Sequence, residues 1–229
     1  MPSVAYTNNT TNTNGGVVDR IVGGCTDLFL DEELPDQNQF GAAQLSAGSA
    51  AAAVKNILLA IQGAVYDLPV GATINSATLY MNGQAGGFNT FDLGSHQLLK
   101  DFGKNETTWN TLSNVGSWQT PGGIGALDIG AETDTNLING GGWYSWDVQT
   151  VVQDFATNRG ILGIMLQATG GTGGFRFMDA SDAGITDGNR WELIVDYTGG
   201  TAPTPPGTGP LIDFTGANGD PIPAELTAY

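Results

Sequence analysis

The apolar residues of this chain fall in short runs, each closed by Gly, Asn or Asp, and that punctuation constrains the fold more than any other feature. The runs are LFL (28–30), AVKNILLAIQG (53–63), ATINSATLYMNG (72–83), GSHQLLKDF (94–102), WYSWDV (143–148), GILGIMLQAT (160–169), GFRFMDA (174–180) and RWELIVDYT (190–198). In the third, Ile74, Ser76, Thr78 and Tyr80 alternate with Asn75, Ala77, Leu79 and Met81, the period of two expected where one strand face is buried. Eight or more strands imply two packed sheets. The expected fold is therefore all-β, an antiparallel, jelly-roll-like β-sandwich. Composition supports it, since 35 glycines with only 13% charged residues suit tight turns better than amphipathic helices.

One segment breaks the pattern. Val148, Val151, Val152 and Phe155 fall at helical spacing after Asp147, and Asn158 and Gly160 supply a stop. This predicts one short helix, with Asp147 as N-cap, plugging an end of the sandwich. The Ala-rich stretch 47–53 is read as helix or hairpin, and Gly48 with the serines keeps the hairpin open.

Residues 1–16 form an Asn/Thr/Gly-rich polar arm, 17–198 the sandwich, 199–210 a Pro/Gly linker, and 211–229 a terminal segment that reads as the start of a second domain. Both arms are expected to be extended. Such an arm is expected to be pinned by neighbouring copies or partner proteins, with Tyr6, Asn8 and Asn9 as its anchoring candidates. The opening MPSVAYTNNTTNTNGG lacks the basic and apolar regions of a signal peptide, and no run reaches membrane-spanning length. The chain is thus expected either to be cut from a larger secreted protein or to be made in a cytoplasm and released by lysis, and Met1 favours the second. The formal charge of −16 repels phosphate backbones and anionic membranes, so neither nucleic acid nor membrane is an expected partner. Cys25 is the single cysteine, which excludes an intrachain disulfide and suits a small buried hydrophobe.

Three blocks resemble the DNRLRE-type (disaggregatase-related) domain, which overlaps carbohydrate-binding modules including alginate binders. They are VKNILLAIQGAVYDLPVGATINSATLYM (54–81), ETTWNTLSNVGSWQTPGG (106–123), and SWDVQTVVQDFATNRGILGIMLQAT (145–169) followed by GFRFMDASDAGITDGNRWELIVDYT (174–198). The resemblance implies a carbohydrate-binding-like jelly roll. The segment PLIDFTGANGDPIPAELTAY (210–229) resembles the opening of jelly-roll domains in phage tail and fibre proteins.

Catalysis finds little support in the residues. With one His and one Cys, triads and zinc clusters have no basis, and His96 in a strand-like run reads as a surface or core histidine. The acids Asp31, Glu32 and Glu33, and Asp179, Asp182 and Asp187, read as turn residues or secondarily as Ca²⁺ ligands, so a structural Ca²⁺ at the second group is the one cofactor entertained. Sugars stack their C–H faces on exposed indoles. Trp109 and Trp191 read as core, whereas Trp118, Trp143 and Tyr144 lie among Gly-rich turns and are the glycan-binding candidates. Tyr144 and Trp146 are expected on opposite faces. Scarce Lys and Arg favour a neutral glycan.

These readings converge on a non-enzymatic bacteriophage virion protein, a head decoration, fibre or tail component at the virion surface. Its expected partners are other virion proteins, further copies of itself, and cell-surface polysaccharide. The alternative is a carbohydrate-binding module of a secreted polysaccharide-active protein.

Overall fold

The computed structural model describes residues 3–6, 18–20, 25–42, 44–50, 53–61, 68–84, 90–113, 116–171, 176–179 and 191–201, with the backbone alone for 3–6, 18–20, 25, 50, 169–171 and 176–179. In chain order the strands are β1 (Ser3–Tyr6), β2 (Val18–Arg20), β3 (Cys25–Asp31), β4 (Gln44–Ala50), β5 (Ala53–Ile61), β6 (Thr73–Gly83), β7 (Phe91–Leu98), β8 (Ile129–Ile138), β9 (Gly142–Asp147), β10 (Gly163–Gly171), β11 (Arg176–Asp179) and β12 (Glu192–Thr198). Helix α1 (Gln149–Asn158) follows β9. Each of the eight apolar runs contributes a strand.

Sheet A runs β2-β1-β12-β6-β9, with β11 joined to β6 at Met178 opposite Gly83, and sheet B runs β3-β5-β10-β7-β8. Every pairing is antiparallel except β1 with β2, which is parallel. Strand β4 belongs to both sheets: Gln44–Ala47 pair with β11, and Gly48–Ala50 with β5. The change of sheet falls at Gly48, whose φ of 130° is unfavourable for any residue with a Cβ. The stretch 47–53 is thus a hairpin rather than a helix, with Ala50 opposite Ala53.

The core between the sheets explains the alternation. Ile57, Leu59 and Ile61 of β5, Ala77, Leu79 and Met81 of β6, Ile164 and Leu166 of β10, and Leu193 and Val195 of β12 point inward with Trp146 and Trp191. Each large side chain so buried stabilises the fold by about 1.5–3 kcal/mol. The alternation in β6 slips once. Ile74 and Ala77 are both buried while Asn75 and Ser76 are exposed, because a register shift against β12 makes Asn75 the extra residue of a bulge. Tyr144 and Trp146 share the inner face, which corrects the expectation of opposite faces: adjacent residues of a strand change face, and residues two apart do not.

Helix α1 closes one end of the core with Val151, Val152, Phe155 and Ala156, preceded by buried Val148. It also replaces a strand. β9 pairs with β6 only from Thr78 to Gly83, and on that same edge the helix serves the remaining backbone. Gln153 accepts from Ile74 N–H (2.9 Å) and donates to Ala72 C=O (3.0 Å), while Gln149 donates to Ile74 C=O (2.7 Å). The N-cap position falls on Val148 rather than on Asp147, and Asp147 Oδ1, one residue earlier, accepts the Gln149 N–H (2.9 Å). The residue that ends the helix in a left-handed conformation is Arg159 (φ 57°), held by its guanidinium on Leu68 C=O (2.6 Å).

A third layer has no regular strands among its described residues. Residues 99–128, between β7 and β8, cover the outer face of sheet B and bury Phe102, Trp109, Leu112 and Trp118 against Leu28, Leu30, Leu58 and Met165. Both faces of β5 and β10 are therefore apolar. Asp128 clasps this layer: its fully buried carboxylate accepts N–H groups of Gln119 (2.9 Å), Thr120 (3.1 Å) and Gly125 (3.1 Å) and pairs with Lys100 Nζ (2.7 Å). Burial alone would raise its pKa. The donors from Gln119, Lys100, Thr120 and Gly125 outweigh burial and hold it below the usual carboxylate value. Gly122, at φ 82°, packs so tightly beneath Trp109 that a Cβ there would lie 2.6 Å from the indole.

The ends of the body differ from the sequence reading. Part of the polar N-terminal arm is sheet, because Ser3–Tyr6 pair with Leu193–Asp196 at the edge of sheet A. At the other end Thr201 exchanges two backbone hydrogen bonds with Val70 (3.0 and 2.9 Å), so the body runs into the segment read as linker from Gly199. Residues 202–229 lie outside the described residues.

Candidate binding face

The outer face of sheet A is built by β9, β6 and β12. Because alternate residues of these strands enter the core, Trp143, Ser145 and Asp147 of β9, Thr78, Tyr80 and Asn82 of β6, and Glu192, Ile194 and Asp196 of β12 are left on the outside. Trp143 is 51% exposed and lies opposite Asn82. Tyr80, half-buried, lies opposite Ser145 on one side and Glu192 on the other. The two aromatic residues are diagonal neighbours, a relation that separates them by about 7–8 Å on a sheet. They form an aromatic pair edged by amide, hydroxyl and carboxylate groups.

The charges described on this face are negative. Asp147, Glu192 and Asp196 lie on it, and among the described side chains the cations are elsewhere: Lys55 on β5, Lys100 and Lys104 in the third layer, and Arg159 after α1. The carboxylates described on this face would repel an anionic sugar polymer.

The other two glycan candidates are not on a surface. Trp118 is 6% exposed and donates its indole N–H to Thr108 C=O (3.0 Å), so the expectation of exposure is corrected. Glycine-rich sequence around a tryptophan signalled an exposed turn, whereas here the turn folds back over sheet B and the indole is its anchor. Tyr144 is half-buried against the central core, and its ring would touch a Cβ at Gly83 at 2.8 Å. Its hydroxyl accepts from Asn139 N–H (3.2 Å) and Gly140 N–H (3.0 Å) and donates to Gly140 C=O (2.7 Å). It pins the β8–β9 turn and presents Trp143 on the opposite side of the strand. Tyr80 was not singled out from sequence, although its place in the alternating run, out of phase with Leu79 and Met81, carried the signal.

Of the remaining candidates, Tyr6 is the last residue of β1, and Asn8 and Asn9 lie outside the described residues. Asp179 ends β11, while Asp182 and Asp187 lie outside the described residues. Among the described residues no group of three His, Cys, Asp or Glu side chains could hold a metal. Asp31 ends β3 and opens a turn by accepting Glu33 N–H (3.0 Å), as a turn residue does. His96 is buried beneath the third layer beside Gly130 C=O (Nδ1, 3.1 Å). Trp109 and Trp191 are core, and Trp191 donates its indole N–H to Asp27 (2.6 Å). Cys25 opens β3, and its side chain lies outside the described residues.

No family model matches this chain, and a search of curated proteins finds no significant match. The DNRLRE resemblance therefore rests on its three sequence blocks.

Proposed function

We propose that this chain is a non-enzymatic display sandwich that holds a neutral glycan on the outer face of sheet A. The observation that carries the reading is Trp143, a large aromatic left half-exposed on a sheet face beside Tyr80, with hydrogen-bonding side chains around both. A pyranose ring can lay its apolar C–H face on the indole while Asn82, Ser145 and Glu192 meet its hydroxyls. The acidity of the face favours sugars without carboxylate or sulfate groups.

Affinity electrophoresis through gels containing neutral polysaccharides tests this. Retardation of the parent protein should be lost in Trp143→Ala and weakened in Tyr80→Ala, with the near-ultraviolet circular dichroism of the buried tryptophans unchanged. A parent protein that no neutral polysaccharide retards would sink the reading.

Display on a bacteriophage particle, as head decoration, fibre or tail component, is the accompanying proposal. It draws on the acidic surface and on the likeness of residues 210–229 to phage tail and fibre domains. Attachment to a secreted polysaccharide-active protein is the alternative that shares the same binding face. Because residues 3–6 are part of sheet A, deleting the whole arm would also damage the fold. Replacing residues 7–17, which include Asn8 and Asn9, with a Gly/Ser segment of equal length leaves β1 and β2 intact. That variant should fold but fail to join particles, and normal incorporation would remove the arm from assembly.

A further inference from the structure

We propose that Lys55 and Asp31 become joined by an amide bond that the folded chain makes itself, with Glu33 carrying the proton. The site lies on sheet B and is independent of the glycan-binding reading.

Four features needed for this reaction meet at one point. The first is contact between amine and carboxyl. Asp31, the last residue of β3, is the direct register partner of Lys55 on β5, and Lys55 Nζ lies 2.8 Å from Asp31 Oδ2. The second is a proton carrier: Glu33 Oε2 is 3.3 Å from the same nitrogen. The neighbouring Glu32 is turned to a different task, accepting the Val54 N–H (2.8 Å). The third is a donor on the acyl oxygen. The backbone N–H of Glu33 donates to Asp31 Oδ1 (3.0 Å), so it polarises the carbonyl and stays in place as negative charge develops there. The fourth is exclusion of water. The Asp31 and Lys55 side chains are 3% and 13% exposed, and the Phe29 ring centroid lies 5.9 Å from Nζ.

An ordinary ion pair accounts for the distance but gains little from the burial, because desolvating both charges offsets most of their attraction. An amide at the same place carries neither formal charge, so neither has to be desolvated. The folded sheet also supplies the orientation that makes such a condensation effectively intramolecular.

The steps balance without any further reagent. The Lys55 ammonium passes one proton to Asp31 Oδ2, which leaves a neutral amine beside a neutral acid. Nζ attacks Cγ, the Nζ–Cγ bond forms, and the carbonyl π pair moves to Oδ1. Glu33 takes a second proton from the nitrogen and returns it to Oδ2. The Cγ–Oδ2 bond then breaks, water departs, and Glu33 is regenerated. Glu33 is 58% exposed, so both its proton and the product water communicate with solvent. The bond would tie β3, an outer strand of sheet B, to β5 in a chain whose single cysteine permits no intrachain disulfide.

Intact-mass spectrometry of the folded full chain, under denaturing conditions, reads the result. The parent protein should be lighter than its sequence by one water, and proteolysis should release a branched peptide joining the segments around Asp31 and Lys55. Lys55→Arg and Asp31→Ala should restore the full mass. Glu33→Gln changes an exposed side chain and should fold, by near-ultraviolet circular dichroism, yet keep the full mass. A folded parent protein of full sequence mass overturns the proposal, as does a loss of water that survives Lys55→Arg. Water loss undiminished in Glu33→Gln overturns the role given to Glu33.

Discussion

Asp128→Ala is the substitution with the clearest structural consequence, because one carboxylate organises the third layer. In the native fold its two oxygens satisfy the N–H groups of Gln119, Thr120 and Gly125 and pair with Lys100. Alanine removes every acceptor at once. Hydrogen bonds to a charged group are worth about 1.5–3 kcal/mol each, but the loop can relax and Lys100, 28% exposed, can recover its hydration. The expected loss is therefore about 3–5 kcal/mol, the range for breaking a buried charge pair from one side, rather than the sum of all contacts. Urea unfolding followed by tryptophan fluorescence measures it, since Trp109 and Trp118 are in the layer that is released.

The same carboxylate sets a pH dependence of known sign. Its folded pKa lies below its unfolded value of about 3.9, so its stabilisation is complete above that value and is lost as pH falls through the lower, folded pKa. The difference in stability between parent and Asp128→Ala should thus be constant from neutral pH to about pH 5 and shrink below about pH 4. A loss under about 1 kcal/mol, or a difference that grows on acidification, would refute the assignment of Asp128 as the clasp.

Gly122→Ala should destabilise by about 1–3 kcal/mol through its left-handed backbone and should also displace the Trp109 ring, visible as a change in near-ultraviolet circular dichroism. Trp146→Phe keeps an aromatic in the core but removes the indole N–H that donates to Leu93 C=O at 2.7 Å. Chemical denaturation should show a loss of about 1–3 kcal/mol, and a neutral outcome would mean that the carbonyl finds another donor.

The strands with a buried face were legible because burial on a strand has a period of two, and the helix because Val148, Val151, Val152 and Phe155 have the period of a helix. Strand β8 was not read. It lies at the edge of sheet B, and Ala131, Glu132, Thr135 and Leu137 face solvent, so its large apolar residues sit at its two ends and do not alternate. β1 and β2 were hidden for a related reason. Main-chain pairing holds them at the edge of sheet A, and Asn/Thr/Gly-rich sequence around them gives no period to detect.

The third layer marks the limit most sharply. Trp109 and Trp118 are separated by eight residues in an aperiodic segment, and nothing local distinguishes a loop that covers a sheet from one that projects into solvent. Sheet B decides between them, because Leu58, Met165 and Leu28 on its outer face need a cover that residues 99–128 supply. The binding face follows the same logic in reverse: the alternation in β6 and β9 determined which residues could point outward, and the partnering of strands decided that Trp143 and Tyr80 would be left uncovered together. Sequence by itself determined the class of fold, the strand-forming runs, the helix and the acidity of the surface, since each depends on residues near one another in the chain. Tertiary structure decided which tryptophan is buried, which carboxylate is clasped and which lysine meets Asp31, because those depend on what a distant segment brings against them.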